Sequence, residues 1–220
     1  MKHIAGIDEA GRGPVVGPLV LAGVMVQEKD IPLLERMGVK DSKVLTPARR
    51  ETLYDAIVSA KFLKHHIISL SPKEIDEALA SPNLNLNTLE GLHSAMIINK
   101  LQPSTVILDL PSNNAEAYNA FVRMNLIKQC EIISEHKADA KYAVVSAASI
   151  LAKVTRDRAI TAIKEKININ LGSGYPSDPV TVAFLKKYYN HAQYNVYFRK
   201  SWQSYKKLVT KSAQKSLRGF

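Results

Sequence analysis

The sequence has very little cysteine, with Cys130 the only one among 220 residues. A single thiol can form no internal disulfide and cannot build a thiolate zinc site, so oxygen ligands must hold any metal ion. One unpaired thiol is also what a reducing cytosol permits. We therefore expect a cytoplasmic protein.

Long apolar runs are missing as well. The longest, residues 14–26, contains glycine and proline and falls short of the ~18 residues that cross a bilayer, so it favours a buried strand. The sequence enters a strand pattern at residues 3–7 without the basic and small-residue features of a secretion signal. We expect neither membrane association nor secretion. Hydrophobic residues make up 46% of the chain, which suffices for one domain with a small appendage.

Acidic residues are in the minority, with 20 against 30 basic residues, a formal net charge of +10 and a pI near 9.6. This excess favours a polyanionic partner, because basic side chains that contact phosphates release counterions. The alternative, a surface of solvated lysines, stays open on charge alone.

Apolar periodicity and turn residues predict an α/β fold. Strands are predicted at residues 3–8, 18–27, 62–70, 105–110 and 130–134. Helices are predicted at about residues 46–60, 88–101, 114–126 and 140–166, with a short one after Ser71-Pro72. The first half is a meander, and the second half alternates strand and helix as parallel strands with crossovers do. We expect a mixed five-stranded sheet flanked by helices.

The segment 6–18, G-I-D-E-A-G-R-G-P-V-V-G-P, carries the most information. Its glycines superficially resemble a dinucleotide-binding fingerprint. However, prolines and β-branched residues continue the segment as a strand, whereas a fingerprint must open a helix. Asp8 and Glu9 would also place two negative charges against a diphosphate, so a cation must intervene. A solvated acidic turn is the alternative.

Adjacent residues of a strand point to opposite faces of the sheet. Asp8 and Glu9 can therefore serve one site only if the strand ends or bends between them. The glycines that follow permit such a bend, and small residues around Arg12 would let the backbone approach a ligand closely.

Two more aspartates follow predicted strands. Asp109 ends the apolar strand T-V-I-L-D-L, where an acid is costly unless it is paired or metal-bound, although it could cap the next helix. Asp139 begins the alanine-rich helix, where capping is again the alternative. Seven-residue steps place Asp139, Ser146 and Lys153 on one stripe with Ser149 beside them. Such a stripe suits a phosphate backbone, or simply solvent.

The sequence resembles the ribonuclease HII family, especially its archaeal members. The resemblance is carried by G-I-D-E-A-G-R-G-P (6–14), D-S-K (41–43), Asp109, H-K-A-D (136–139), S-A-A-S-I-L-A-K-V-T-R-D (146–157) and G-S-G-Y-P-S-D-P (172–179). These motifs run in the family's order over about 180 residues, and the flanks of Asp109 are the least distinctive. The resemblance implies a ribonuclease H-like catalytic domain over residues 1–175 and a helical subdomain over residues 176–213.

The resemblance also implies roles for individual residues. Asp8, Glu9, Asp109 and Asp139 would hold two Mg²⁺ or Mn²⁺ ions. The loop of Gly11, Arg12 and Gly13 would read the ribose 2′-hydroxyl, Tyr175 would pack on the sugar at the RNA–DNA junction, and Lys43 and Lys153 would contact phosphates, with Ser146 and Ser149 as further substrate contacts. The implied activity is hydrolysis of RNA in RNA–DNA hybrids and on the 5′ side of ribonucleotides in duplex DNA, leaving 5′-phosphate and 3′-hydroxyl ends.

Two other classes of protein are alternatives to a ribonuclease H. A nuclease of the same fold that resolves branched DNA would share the acids but lack the G-R-G loop and the Gly-Tyr element. A non-catalytic RNA-binding module would explain the charge but would bind without metal and never cut. The carboxylates argue against the second class and the loop against the first.

The last seven residues, 214–220, form a possible partner-binding tail. Gln214, Leu217 and Phe220 have the spacing of the peptide by which replication proteins bind the sliding clamp, although the family motif usually has a second aromatic residue. A frayed basic tail is the alternative. We otherwise expect a monomer.

Overall fold

The computed structural model describes the backbone of residues 1–217 and the side chains of residues 1–210. The strands are β1 (His3–Ala10), β2 (Leu19–Gln27), β3 (Leu63–Leu70), β4 (Thr105–Asp109) and β5 (Glu131–Glu135). The helices are α1 (Ile31–Met37), α2 (Pro47–Ser59), α3 (Pro72–Ala80), α4 (Leu86–Leu101), α5 (Ala115–Met124), α6 (Ala143–Ile167), α7 (Pro179–Tyr188) and α8 (Gln203–Leu217). Short 3-10 helices cover Glu28–Asp30, Ala138–Ala140 and Ala192–Tyr197.

The five strands form one mixed sheet in the order β3-β2-β1-β4-β5. Strand β1 is antiparallel to β2, with Asp8 opposite Ala22, and parallel to β4, with Ile7 opposite Leu108. Strand β4 is in turn parallel to β5. The predicted mixed five-stranded sheet is therefore confirmed, and β1 and β4 end at the same edge because they run in the same direction.

Helix α6 packs very closely against β1 at Gly6. A Cβ atom at this position would collide with the backbone of Val144 and Val145. The first half of α6 is apolar and buried, and it joins β-strand residues such as Ile4 and Val24 in the main hydrophobic core. Glycine is needed at position 6 because only a residue without a side chain allows this approach.

Most helix starts follow from their capping residues. The side chain of Thr46 accepts a hydrogen bond from the N–H of Arg49, and Ser71 forms a reciprocal capping box with Glu74. Helix α1 was not predicted. Asp139 lies in a separate 3-10 turn ahead of α6, which begins at Ala143, and not in the helix itself; Lys137, which precedes the turn, is left-handed with φ 58°.

Two compact units can be distinguished. Among the described residues, the first contains 1–10, 20–69 and 85–155, and the second contains 11–19, 70–84 and 156–217. The domain boundary expected near residue 175 assumes contiguous segments, whereas both units are discontinuous. Within the described part of the chain, every helix is too short or too polar to span a lipid bilayer.

Candidate active site

Three carboxylates from different elements of the first unit lie close together. Asp8 is on β1, Asp109 ends β4, and Asp139 lies in the 3-10 turn after β5, and one oxygen from each lies within 4.8 Å of the other two. The parallel pairing of β1 with β4 brings the first two together, since Ile7 and Leu108 are register partners. The site lies at the carboxyl ends of parallel strands, as in other α/β proteins.

Hydrogen bonds fix the orientation of these carboxylates. The N–H of Glu9 donates to Asp8 Oδ1 over 2.7 Å, and the N–H of Ala138 donates to Asp109 Oδ1 over 2.9 Å. The hydroxyl of Ser149 also donates to Asp8. Ser149 Oγ lies in turn 2.8 Å from Ser42 Oγ.

The third carboxylate is held through its backbone. Ser146, which like Ser149 is buried on α6, donates from Oγ to the main-chain oxygen of Asp139 over 2.6 Å. This contact ties the 3-10 turn to the helix that follows it. Two serines that the sequence placed on one stripe with Asp139 thus support the carboxylates.

The surroundings of Asp8 and Asp109 disfavour the ionised form of each of these two carboxyl groups. Burial raises the pKa of Asp8 to about 7, and the charges of Asp109 and Asp139 add to this effect. Burial also raises the pKa of Asp109, with a further contribution from Asp139. A bound cation would favour the ionised forms of Asp8 and Asp109.

A protein cation already contacts one of them. Lys43 Nζ lies 3.1 Å from Asp139 Oδ2, although the lysine side chain is otherwise exposed. Burial opposes the charged form of Lys43, but the hydrogen bond and the charge of Asp139 outweigh it and raise the pKa of Lys43. The Asp139 carboxylate therefore already forms an ion pair with a cation. The three carboxylates together offer oxygen donors, which a hard divalent ion prefers.

Glu9 does not join this cluster. Strand β1 continues through Glu9, which pairs with Leu21, to Ala10, so the strand does not end between Asp8 and Glu9. Among the described residues, the group that could hold a metal ion contains the three aspartates only. The metal-binding role of Glu9 stays a prediction.

The Gly11–Gly13 loop belongs to the second unit and packs near Tyr175. Gly11 has φ +90°, and a Cβ there would lie 2.5 Å from Arg156 Cδ. Gly13 is exposed, and a Cβ there would lie 3.7 Å from the Tyr175 ring, which is ordinary contact. The buried guanidinium of Arg156 lies 5.1 Å from the centre of that ring and donates to the main-chain oxygen of Ser173.

The structure gives less information on the roles of the remaining residues that the sequence predicted. Lys153 is half-buried on α6, seven residues after Ser146, and Arg12 is half-buried. The side chains of Gln214 and Leu217 and the whole of Phe220 lie outside the described residues. Ser42 and Arg156 had no assigned role, although both lie within motifs that the sequence singled out.

The structure combines a mixed five-stranded sheet with three aspartates gathered at the ends of adjacent parallel strands, an arrangement that suits a divalent-metal site. Residues 5–205 match the family model for ribonuclease HII. Over 211 residues the chain is 46% identical to the ribonuclease HII of Thermococcus sibiricus, covering 94% of this chain and 92% of that protein. The chain belongs to the ribonuclease HII family.

Solved structures agree with this assignment. The ribonuclease H2 of Pyrococcus horikoshii OT3 is 40% identical, with a TM-score of 0.84 over 95% of this chain and 98% of that one. The ribonuclease HII of Archaeoglobus fulgidus, solved in a complex with PCNA, is 39% identical, with a TM-score of 0.81 over 91% and 95% of the two chains. The protein is thus a divalent-metal-dependent ribonuclease H, an endonuclease that acts on RNA–DNA hybrids.

Proposed function

We propose that this enzyme cuts RNA within RNA–DNA hybrids and on the 5′ side of ribonucleotides in duplex DNA, leaving 5′-phosphate and 3′-hydroxyl ends. Two divalent ions would serve the reaction, held by Asp8, Asp109, Asp139 and Glu9. The observation that carries the proposal is the convergence of the three aspartates to within 4.8 Å of one another.

The donor set fits the metal it would hold. All the proposed ligands are carboxylates, and oxygen donors are preferred by both Mg²⁺ and Mn²⁺. Bound there, divalent ions would supply a Lewis acid for the phosphate and increase the acidity of the attacking water. The raised pKa of Asp8 supports the fit, because a cation relieves the cost of ionising this buried group.

The residues of the chain would position the substrate. Asp8 and Asp109 are held by main-chain N–H groups, so they are oriented before any ligand arrives. We propose that Lys43, which is largely exposed, and Lys153 contact phosphates of the backbone, with Ser146 and Ser149 on the same helix face. The net charge of +10 supports attraction of a polyanion.

The Gly11–Gly13 loop would discriminate RNA from DNA. The 2′-hydroxyl alone marks RNA at a given sugar, and a loop of small residues brings its backbone close to that group. Gly13 and the Tyr175 ring are both exposed and adjacent, which supports joint contact with a sugar.

The C-terminal tail would bind the sliding clamp. The spacing of Gln214, Leu217 and Phe220 supports this proposal, as does the complex of the Archaeoglobus fulgidus relative with PCNA. Binding would raise the effective concentration of the enzyme on new DNA. We propose that the enzyme acts in the cytoplasm as a monomer, with its single cysteine reduced.

The test is cleavage of an end-labelled DNA duplex that carries one ribonucleotide, with Mg²⁺ and Mn²⁺ supplied in turn. We expect one cut on the 5′ side of the ribonucleotide and a 3′-hydroxyl end that a polymerase can extend. An all-DNA duplex of the same sequence is the control and should stay intact. Cleavage of that control, or a cut with a 3′-phosphate end, would contradict the proposal.

A further inference from the structure

Two side chains of the second unit hold the carbonyl groups of the Gly11–Gly13 loop from behind. Arg199 Nη1 donates to the main-chain oxygen of Arg12 over 3.2 Å, and Trp202 Nε1 donates to that of Gly13 over 3.0 Å. The two side chains also contact each other, since the guanidinium carbon lies 4.7 Å from the centre of the Trp202 ring. Successive peptides of the loop are therefore fixed by one stacked pair.

Arg199 is unusual because it is fully buried. Its Nε donates to the main-chain oxygen of Gly17 over 3.0 Å, so one guanidinium binds both ends of the segment from Arg12 to Gly17. Burying a charged group is costly unless hydrogen bonds compensate it. The planar fork of the guanidinium allows this one buried charge to donate to two separate carbonyl groups.

The segment that carries this pair is itself anchored. The Asp76 carboxylate on α3 accepts hydrogen bonds from the N–H groups of Lys200 and Ser201 over 2.7 and 2.9 Å. On the other side, the N–H of Arg199 donates to the oxygen of Val15, and Val16 forms a bridge with Phe198. The anchor leaves little freedom for the guanidinium or the indole.

The orientation of the peptides follows from these contacts. In a trans peptide the C=O and N–H groups point in opposite directions. Because the oxygen of Arg12 points to the buried Arg199, the N–H of Gly13 points the other way. The next peptide carries no N–H, since residue 14 is proline. Gly13 thus presents a single main-chain donor whose direction Arg199 and Trp202 fix.

We propose that Arg199 and Trp202 are positioning residues for ribose recognition: they hold the Gly11–Gly13 loop so that its backbone meets the 2′-hydroxyl in a fixed orientation. This inference rests on the proposed role of the loop. It assigns a function to two residues outside the motifs from which that role came.

The test measures duplex binding in the Asp109→Asn background, which is expected to bind without cutting. Affinity is compared for a DNA duplex with one ribonucleotide and for the all-DNA duplex. Adding Trp202→Phe keeps a ring for Arg199 to stack on but removes the N–H donor. We expect the preference for the ribonucleotide to fall about fivefold, the effect of one lost hydrogen bond, while affinity for all-DNA duplex stays within about twofold.

Tyr205→Phe is the matched control. Tyr205 is also an aromatic residue of the second unit that donates one hydrogen bond to a main-chain oxygen, that of Tyr189, over 3.0 Å. It should leave the preference unchanged. Arg199→Lys keeps the charge but loses the fork, and we expect the same loss of preference with a lower thermal midpoint.

The possible outcomes separate the two proposals. Full preference in Trp202→Phe, or an equal loss of affinity for both duplexes, would refute the positioning role and leave the proposed function intact. If the Asp109→Asn background itself showed no preference for the ribonucleotide, ribose reading by the loop would be wrong, and the inference would fall with it.

Discussion

Lys43 forms an ion pair with Asp139 in which the lysine is largely exposed and the carboxylate is buried. The ammonium group neutralises part of the charge that a divalent ion would otherwise neutralise. A metal ion held by Asp139 would therefore be expected to compete with Lys43 for this carboxylate, even though both charges would favour the binding of phosphate.

This competition predicts the behaviour of Lys43→Met. Without the ammonium group we expect Mg²⁺ to bind the free protein about two- to fivefold more tightly, a range typical of an exposed ion pair. Cleavage should nevertheless weaken, because a phosphate contact is lost. Calorimetry without substrate measures the first effect and KM the second. Unchanged or weaker metal binding would show that Lys43 does not compete.

Removing one ligand charge should abolish catalysis without unfolding the protein. For Asp8→Asn and Asp109→Asn we expect cleavage to fall by more than about a hundredfold, since even the groups that orient metal ligands matter ten- to a hundredfold. The thermal midpoint of the metal-free protein should not fall, because asparagine avoids burying a charge. Near wild-type cleavage by either variant with Mg²⁺ would refute the assignment.

Glu9→Gln is the informative companion to these variants. The four-carboxylate proposal expects a comparable loss of activity. The three aspartates converge without Glu9, so wild-type activity in Glu9→Gln would instead assign the metal site to the three aspartates alone.

The pKa of Asp8 sets a pH dependence for the stability of the metal-free protein. The folded-state pKa of about 7 lies above the ordinary value of 3.8, so the protonated form is favoured in the fold. The stability from this group is fully present below pH 3.8 and falls as the pH rises from there through 7, so most of the loss should lie between pH 5 and pH 8. Thermal midpoints at pH 5 and pH 8 measure the loss. Asp8→Asn should reduce the difference, and a pH profile that Asp8→Asn leaves unaltered would contradict the cause.

The two glycines of the loop should respond differently to alanine. Gly11→Ala introduces a Cβ 2.5 Å from Arg156 at a positive φ, and we expect destabilisation on the order of 1–3 kcal/mol. Gly13→Ala has room for its Cβ and should fold normally, but its methyl group would meet the sugar and lower kcat/KM about ten- to a hundredfold. Denaturation and steady-state kinetics separate the two effects. Normal kinetics in Gly13→Ala would remove this glycine from the substrate site.

The tail prediction concerns clamp binding only. A chain ending at Ala213 should lose the affinity for the sliding clamp while it cuts short free duplexes at the wild-type rate. Calorimetry of both forms measures the affinity for the clamp. The full-length variant Phe220→Ala should show the same loss of affinity. Equal clamp affinity in the long and short forms would refute the role of the tail.

The sequence predicted the sheet because its local signals agree with the fold. Thr46 and Ser71 cap the helices that were predicted to begin after them. The apolar run of β4 ends at Asp109, which is the last residue of that strand. The position of Asp139 was harder to predict, because it lies in a short 3-10 turn after a left-handed Lys137, and no sequence pattern indicates either feature. Helix α1 could not be predicted because it is short and its apolar residues show no clear helical periodicity.

Long-range contacts account for what the sequence could not predict. A hydrogen bond from Arg199 to Gly17 joins residues 182 positions apart. The residues that neighbour an arginine in the sequence do not show whether its side chain is buried or solvated, because either kind can stand in the same local sequence. The acidic site could be predicted because its residues lie in short recognisable motifs. Arg199 and Trp202, which support the loop, lie in no such motif and could not be predicted.

The contact between Gly6 and α6 restricts which sequences can occupy this position. Any side chain there would push Val144 outward, and with it the start of the helix that carries Ser146 and Ser149. In a library randomised at position 6, selection for activity should therefore return glycine alone. Val26, which is also buried in the core, should by contrast accept other aliphatic residues, so the difference in tolerance would report the close approach of the helix and not burial as such.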